Sequence, residues 1–443
     1  MDTNALWTSK LHIPPVRPGL VARPLLRAPL EAWTGESAAK WGLRFILVSA
    51  AAGMGKTALI ADWARERGAV AWVSLDSGDD DPARFESLIK AAVNADTQIL
   101  VLDDYHTITN PLIHQTVSLI TPYSFTRDAQ LRSVVLITRA DPPLPIAYWR
   151  ADGILLEIRD DDLRFTPEQA DQFLRGSMDL PLTEEQVDVL ARRTEGWVAG
   201  LQLAALALKG KRADAVQAAA FLREFTGTHR YIADYLIDEV LAGQPDEVRD
   251  FLLYTSILDR MNASLCAALT GLSDAQAMLE TLEKRNLFVV PLDQVRGWYR
   301  YHHLFAELLR ARLAAHESTE TIRDLNRRAA AWHEANGAPE GAIPYALSAG
   351  DFESAARLMT GAAVGVMHRA EARMLLDWYA RFPVEYTRAN PRLGLQFGMA
   401  FAMSGQWKAA HQLLTAVESA LGDDARPGRS PAARILDRQL PAR

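Results

Sequence analysis

Ile46-Leu47-Val48-Ser49-Ala50-Ala51-Ala52-Gly53-Met54-Gly55-Lys56-Thr57 decides the reading of this chain. The apolar run Phe45 to Val48 predicts a buried strand. It breaks into a loop of small residues ending in Gly55-Lys56-Thr57, and Leu59, Ile60 and Trp63 follow at helical spacing. Strand, small-residue loop, GK[ST] and helix is the order of a phosphate-binding loop. Successive backbone N–H groups must face phosphate oxygens there, which excludes bulky residues, and the helix N-terminus adds partial positive charge. Ala52, Gly53, Met54, Gly55, Lys56, Thr57 and Ala58 are the expected nucleotide contacts. Lys56 is expected to reach the β and γ phosphates, and Thr57 to offer its hydroxyl to Mg²⁺. Ala50 replaces the first glycine of the pattern, which costs little if its backbone has ordinary angles.

Short apolar strands alternating with helices continue from this point. Ala69–Ser74, Ile99–Leu102, Val134–Ile137 and Ile154–Ile158 read as strands, and Pro82–Val93 as a helix with proline in its first turn. The pattern predicts a parallel sheet covered on both faces. Before it, residues 12–24 carry too many prolines for helix or central strand and read as an extended arm. From Phe165 onward the pattern is helical, with capping-box spacings at Thr166/Gln169, Thr183/Gln186 and Ser273/Gln276. Between Leu287 and Tyr301 two short strands and a polar turn fit, and a small hairpin among helices suggests a winged-helix module. After Ser318 the chain is alanine-rich and helical, with Gly337, Gly341, Gly350, Gly361 and Gly405 read as turns of a starting α-solenoid. Residues 425–443 hold five arginines, one aspartate and three prolines, and read as a disordered basic tail. The expected domains are thus an arm (1–24), an α/β P-loop NTPase domain (25–164), a helical lid (165–240), a winged-helix domain (241–317), a TPR-like superhelix (318–422) and the tail (423–443).

Two acids follow the Ile99–Leu102 run. Asp103 and Asp104 stand at a strand's carboxyl end, where one acid can hold Mg²⁺ and a second can polarise an attacking water. A solvated Asp-Asp turn is the plainer alternative. Arg139 ends the next strand, where a cation near a γ phosphate could distinguish ATP from ADP; pairing with Asp141 is the competing reading. His302 and His303 have no cysteine or carboxylate at metal-ligand spacing and stay unassigned on physics alone.

Bulk properties narrow the class. The 443 residues are 49% hydrophobic and 23% charged, with a net charge of −7, which argues against a broad nucleic-acid-binding face. One cysteine, Cys266, rules out an internal disulfide and points to a reducing compartment, the cytoplasm. No run approaches the ~18 apolar residues of a membrane span.

The stretch Asp103-Asp104-Tyr105-His106-Thr107-Ile108-Thr109-Asn110-Pro111 resembles the MalT-like regulators, large ATP-binding members of the LuxR group in the STAND class of signal-transduction ATPases. Glu195-Gly196-Trp197 with Leu201-Gln202-Leu203, Tyr235 to Leu241, Tyr299 to Phe305, and Ala342 to Asp351 carry the same likeness, which runs from about residue 10 to 420. The resemblance implies a switch: ADP locks a closed monomer, and ATP with a small-molecule or protein inducer on the superhelix drives self-association. It implies that Arg23 lies in an arm approaching the adenine, that Lys56 and Thr57 hold phosphate and Mg²⁺, that Asp103 and Asp104 are the acidic pair, that Arg139 is a sensor, and that His302 contacts the β phosphate of ADP. The sequence departs from the family in two places. Only 46 residues lie between Lys56 and Asp103, where the family has a longer helical stretch. No recognition-helix pattern follows the superhelix, so DNA contact is expected only through a domain not in this sequence. A constitutive remodelling ATPase and a non-hydrolysing interaction or decoy protein are the alternative functions.

Overall fold

The computed structural model describes residues 10–16, 19–35, 42–120, 131–210, 215–368 and 372–420. Part of the expected arm (1–9, 17–18) and the whole basic tail (423–443) lie outside the described residues. The chain divides into two compact units, Met1–Asp250 with Gln276–Ala311, and Phe251–Ala275 with Arg312–Arg443.

In the first unit an extended arm leads to helix α1 (Pro24–Thr34) and then to a five-stranded sheet. Its strands are β1 (Arg44–Ser49), β2 (Val70–Ser74), β3 (Ile99–Asp103), β4 (Ser133–Thr138) and β5 (Leu155–Ile158). They run in the order β2-β3-β4-β1-β5, every pair parallel. Helix α2 (Lys56–Arg65) follows β1, and α3 (Pro82–Ala92) and α4 (Pro111–Ser118) flank β3.

The apolar strands are buried on both faces because helices cover both. Phe45, Leu47, Leu100, Leu102, Val134 and Leu136 share one core cluster, while the alternate residues Ile46, Val48, Val101, Val135 and Ile137 are buried too. Phe45 stacks flat on Trp149 at 3.7 Å. The chain crosses from β1 to the far edge at β2, so β1 lies between β4 and β5 at the switch point of the sheet. Ligands of open parallel sheets gather there, beyond the carboxyl ends of the strands. Register confirms that the ends coincide: Ser49 pairs with Thr138 and Ser74 with Asp103.

Beyond β5 come the short helices α5 (Asp160–Leu163) and α6 (Pro167–Asp171), then α7 (Glu184–Thr194), α8 (Val198–Gly210), α9 (Ala215–Glu224) and α10 (Arg230–Leu236). Thr166 and Thr183 form the expected capping boxes with Gln169 and Gln186. Helix α8 buries Leu201, Ala204, Ala205, Ala207 and Leu208, while Leu206 on its other face is exposed. The antiparallel hairpin β6 (Val289–Pro291) and β7 (Tyr299–Tyr301) leads into helix α11 (His303–His316).

The second unit is helical. Ala342, Ile343, Ala346, Ala355, Met359, Leu393 and Phe397 form its core. Of the five glycines read as turns, Gly337, Gly350 and Gly405 are turns with positive φ. Gly341 and Gly361 are not: they sit inside the helices Pro339–Ala349 and Phe352–His368. At Gly341 the reason is packing, since a Cβ would lie 2.8 Å from His333 Nδ1. Nothing approaches Gly361, and the structure gives no reason for glycine there. Among the described residues no helix is long and apolar enough to cross a membrane.

Candidate functional site

The loop between β1 and α2 has its carbonyl oxygens tied from outside. Lys56 Nζ donates to the carbonyls of Ala50 (2.7 Å) and Ala51 (2.9 Å). Trp197 Nε1 donates to Ala52 O (2.9 Å), and Ala199 N to Gly53 O (2.9 Å). Four successive carbonyls are thereby spent. The N–H groups of Gly53, Met54 and Gly55 make no hydrogen bond to the described residues, and the first N–H groups of α2 have no intrahelical acceptor. Loop and helix start together leave a row of unspent donors, the arrangement a phosphate requires.

Gly53 and Gly55 are left-handed, with φ of +77° and +85°. A Cβ on Gly53 would also lie 2.4 Å from Ala199 Cβ. Ala50 is fully buried and has no positive φ, so alanine replaces the usual glycine without strain.

Lys56 is 8% exposed. Burial lowers its pKa to about 8, against the opposing charges of Asp160, Asp104 and Asp103. Two of its three ammonium donors are spent on the loop, which leaves one for a phosphate oxygen. Thr57 Oγ1 donates to Asp103 Oδ1 at 3.0 Å, so the loop and the acid at the end of β3 meet directly. Asp103 is buried, and desolvation followed by the charge of Asp104 raises its pKa to about 6. A hydroxyl and a carboxylate at this separation fit Mg²⁺, which takes one or two protein oxygens and fills its octahedron with phosphate and water. Asp104 is half exposed in a left-handed conformation, and its backbone N–H donates to Asp103 Oδ1. The plainer reading of this pair as a solvated turn does not describe Asp103, which is 3% exposed.

Arg139 pairs with Glu239 Oε2 (2.6 Å), not with Asp141. Asp141 is held by Arg159 and by Ser49 Oγ. The Arg139 charge still acts on Lys56. Arg23 donates to the carbonyls of Asp162 (2.8 Å), Leu163 (3.0 Å) and Arg164 (3.3 Å), and lies over the Phe165 ring. It fixes the arm beside a mostly apolar cleft lined by Val21, Met54, Gly55, Ala58, Leu59, Trp63, Phe165 and Val198, at the start of α2.

His302 is buried, and its Nε2 donates to the carbonyl of Thr194 (2.8 Å). Burial lowers its pKa to about 4, so the ring is neutral near pH 7 and Nδ1 carries the lone pair. Nδ1 has no hydrogen-bond partner among the described residues. The turn that His302 holds is fixed further by Glu195, which takes both guanidinium nitrogens of Arg300 (2.9 and 2.7 Å) and the backbone N–H of His303 (3.0 Å). His303 itself is mostly exposed.

Sequence reasoning missed several groups that complete the site. Trp197, Ala199 and Glu239 come from elements remote in sequence. Asp160 accepts the Ala51 N–H (3.1 Å) and is itself buried enough to have its pKa raised. Lys56 and Asp160 thus grip the two ends of one peptide, the carbonyl of Ala50 and the N–H of Ala51. The one available signal for Asp160 was its place just after a strand end, where Asp103 also stands.

A family model described as the MalT winged helix domain matches residues 237–321. The chain is 32% identical to the HTH-type transcriptional regulator MalT of Cronobacter sakazakii over 411 residues, covering 85% of this chain and 45% of the relative. The regulator of the same name from Serratia proteamaculans is 32% identical over 416 residues, with 86% and 45% covered. The chain therefore spans less than half the length of these relatives. A signal transduction ATPase with numerous domains, with a tetratricopeptide repeat sensor, from Pyrococcus horikoshii is similar at a TM-score of 0.33 and 16% identity, covering 91% of this chain and 59% of that one. The chain is MalT-like, with a parallel α/β phosphate-loop domain, a helical region, a MalT winged helix and further helices.

Proposed function

We propose that this MalT-like chain is a nucleotide-controlled switch of a transcriptional regulator. ADP holds a closed form; ATP, together with an inducer on the C-terminal helices, releases it for self-association. One observation supports the reading above others. The phosphate loop leaves N–H groups unspent, while one of its carbonyls, Ala52 O, is held by Trp197, whose ring packs against Phe288 and His302 at the two ends of the hairpin. Ligand occupancy and the packing of the hairpin beside the loop are then one equilibrium, and a ligand shifts it by its differential affinity for the two states.

Roles follow for this chain's residues. Gly53, Met54, Gly55 and Ala58 with Ala52 form the cradle, and Lys56 adds charge. Thr57 and Asp103 hold Mg²⁺, which when bound neutralises charge between the outer phosphates. Asp104 orients water for slow hydrolysis. Arg139 leaves Glu239 for the γ phosphate. Arg23 positions the arm at the base. His302 has Nε2–H on Thr194 and no partner at Nδ1 among the described residues, so a contact to the β phosphate of ADP is made either by Nδ1 once it takes up a proton or by Nε2–H after it leaves Thr194.

Size-exclusion chromatography with ATP, ADP or no nucleotide, each with an inducer present, tests the switch. Assembly in ATP alone supports it; identical elution in all three contradicts it. A second reading, a non-hydrolysing partner of a longer relative, is favoured by the short segment between Lys56 and Asp103. Between α2 and β3 that segment holds β2, one 3₁₀ turn (Ser77–Asp79) and α3. This second reading predicts no nucleotide binding at all.

A further inference from the structure

We infer that Trp197 is a positioning residue for a diphosphate, and that it passes the position of the hairpin to the phosphate loop. The inference rests on the nucleotide reading above and assigns a residue which that reading does not use.

The chemistry lies in one peptide unit. In a trans peptide the C=O and the following N–H point to opposite sides. Trp197 Nε1 holds the carbonyl of Ala52 on the outside of the loop at 2.9 Å. The N–H on the other side of that peptide belongs to Gly53, and it is unspent among the described residues. Holding the carbonyl therefore aims the N–H inward. Ala199 N does the same for the next peptide through Gly53 O, but with a backbone donor, which only proline at that position would remove.

The indole has no slack on either side. Trp197 is 1% exposed. Its ring lies edge-on to Tyr235 (5.5 Å), to Phe288 (5.3 Å) and to His302 (6.1 Å). Phe288 and His302 flank the two hairpin strands. On the loop side, a Cβ on Gly53 would lie 2.9 Å from both Trp197 Nε1 and the Tyr235 hydroxyl. A hairpin that moves must move the ring, and a ring that moves must release Ala52. Close-packed interiors transmit displacement in this way.

The test is the preference for ADP over AMP in the full chain. A first phosphate is met by the start of α2; a second is needed to engage the loop N–H groups. Trp197→Phe keeps an aromatic ring and removes the N–H. Replacement of Trp197 by 3-benzothienylalanine keeps the bicyclic shape as well, and guards against a variant that fails to fold. Both changes are expected to weaken ADP roughly fivefold, the order of one net hydrogen bond, and to leave AMP unchanged. A folded variant with an unaltered ADP-to-AMP ratio overturns the inference, as does an equal loss for both ligands, which marks packing alone. Wild-type protein that binds neither nucleotide overturns the underlying reading instead.

Discussion

Arg139 Nη1 lies 2.6 Å from Glu239 Oε2, which joins the end of strand β4 to the segment that continues helix α10. Both side chains are more than a third exposed, so the pair is worth little as stability. Its interest is competition: the carboxylate occupies the cation that a γ phosphate would use. Glu239→Gln is expected to raise ATP affinity about two- to fivefold, consistent with a partly exposed pair, with ADP affinity unchanged. Isothermal titration with both nucleotides measures it. An equal change for ATP and ADP would detach Arg139 from γ-phosphate sensing.

Lys56→Ala is expected to abolish nucleotide binding, because the substitution removes both the charge and the two bonds that shape Ala50 and Ala51. Burial brings the Lys56 pKa down to about 8 in this structure. The neutral amine forms above that value, so ADP affinity should decline as pH rises past 8. A flat affinity from pH 7 to 9 in wild type would show that Lys56 does not carry the attraction.

The metal contribution should titrate in the opposite direction. The Asp103 pKa is raised to about 6, chiefly by burial. Protons and Mg²⁺ compete for the same carboxylate. The Mg²⁺-dependent gain in ATP affinity should therefore fade as pH drops through 6, and Asp103→Asn should erase it at every pH. A gain that persists at pH 5 would place the metal elsewhere.

Acid stability follows from histidines whose pKa is lowered in the folded state. His302 has a folded pKa of about 4 against an ordinary 6.5, with burial the main cause, and His106 is lowered similarly. A lowered histidine pKa contributes stability that is full above pH 6.5 and is lost as pH falls toward 4. Glu195 acts at lower pH. Burial alone would raise it, but Arg300, the charge at His302 and the His303 N–H hold its carboxyl down to about 2, so its contribution fades from pH 4.5 downward. Asp103 has the reverse sign: its raised pKa favours the folded state below 3.8, and that benefit is lost as pH rises through about 6. His302→Gln should flatten part of the decline between pH 6.5 and 4 in urea unfolding. An unchanged slope would mean that His302 does not become charged on unfolding.

What could be read from the residues was what local chemistry dictates. Gly53, Gly55, Lys56 and Thr57 are required by backbone conformation and phosphate geometry, and Asp103 by its strand end; all fall within one stretch of chain or one sheet edge. Ala50 was read correctly as tolerable, because a buried residue without positive φ does not need to be glycine. The partner of Arg139 was not legible: Asp141 is near in sequence, but Glu239, 100 residues away, takes the guanidinium. Trp197 looked like part of a family block, and its bond to Ala52 spans 145 positions. The glycine spacing reads Gly341 as a turn, but close approach to His333 keeps a glycine inside the helix against its low helix propensity.

Thermal unfolding with and without ADP tests the central claim most directly. A ligand at 100 times its dissociation constant adds about 2.7 kcal/mol to a protein that binds it only when folded. Wild-type protein should therefore melt several degrees higher in ADP, while Lys56→Ala should not respond. A wild-type melting point indifferent to both ADP and ATP would contradict the claim that this loop holds a nucleotide.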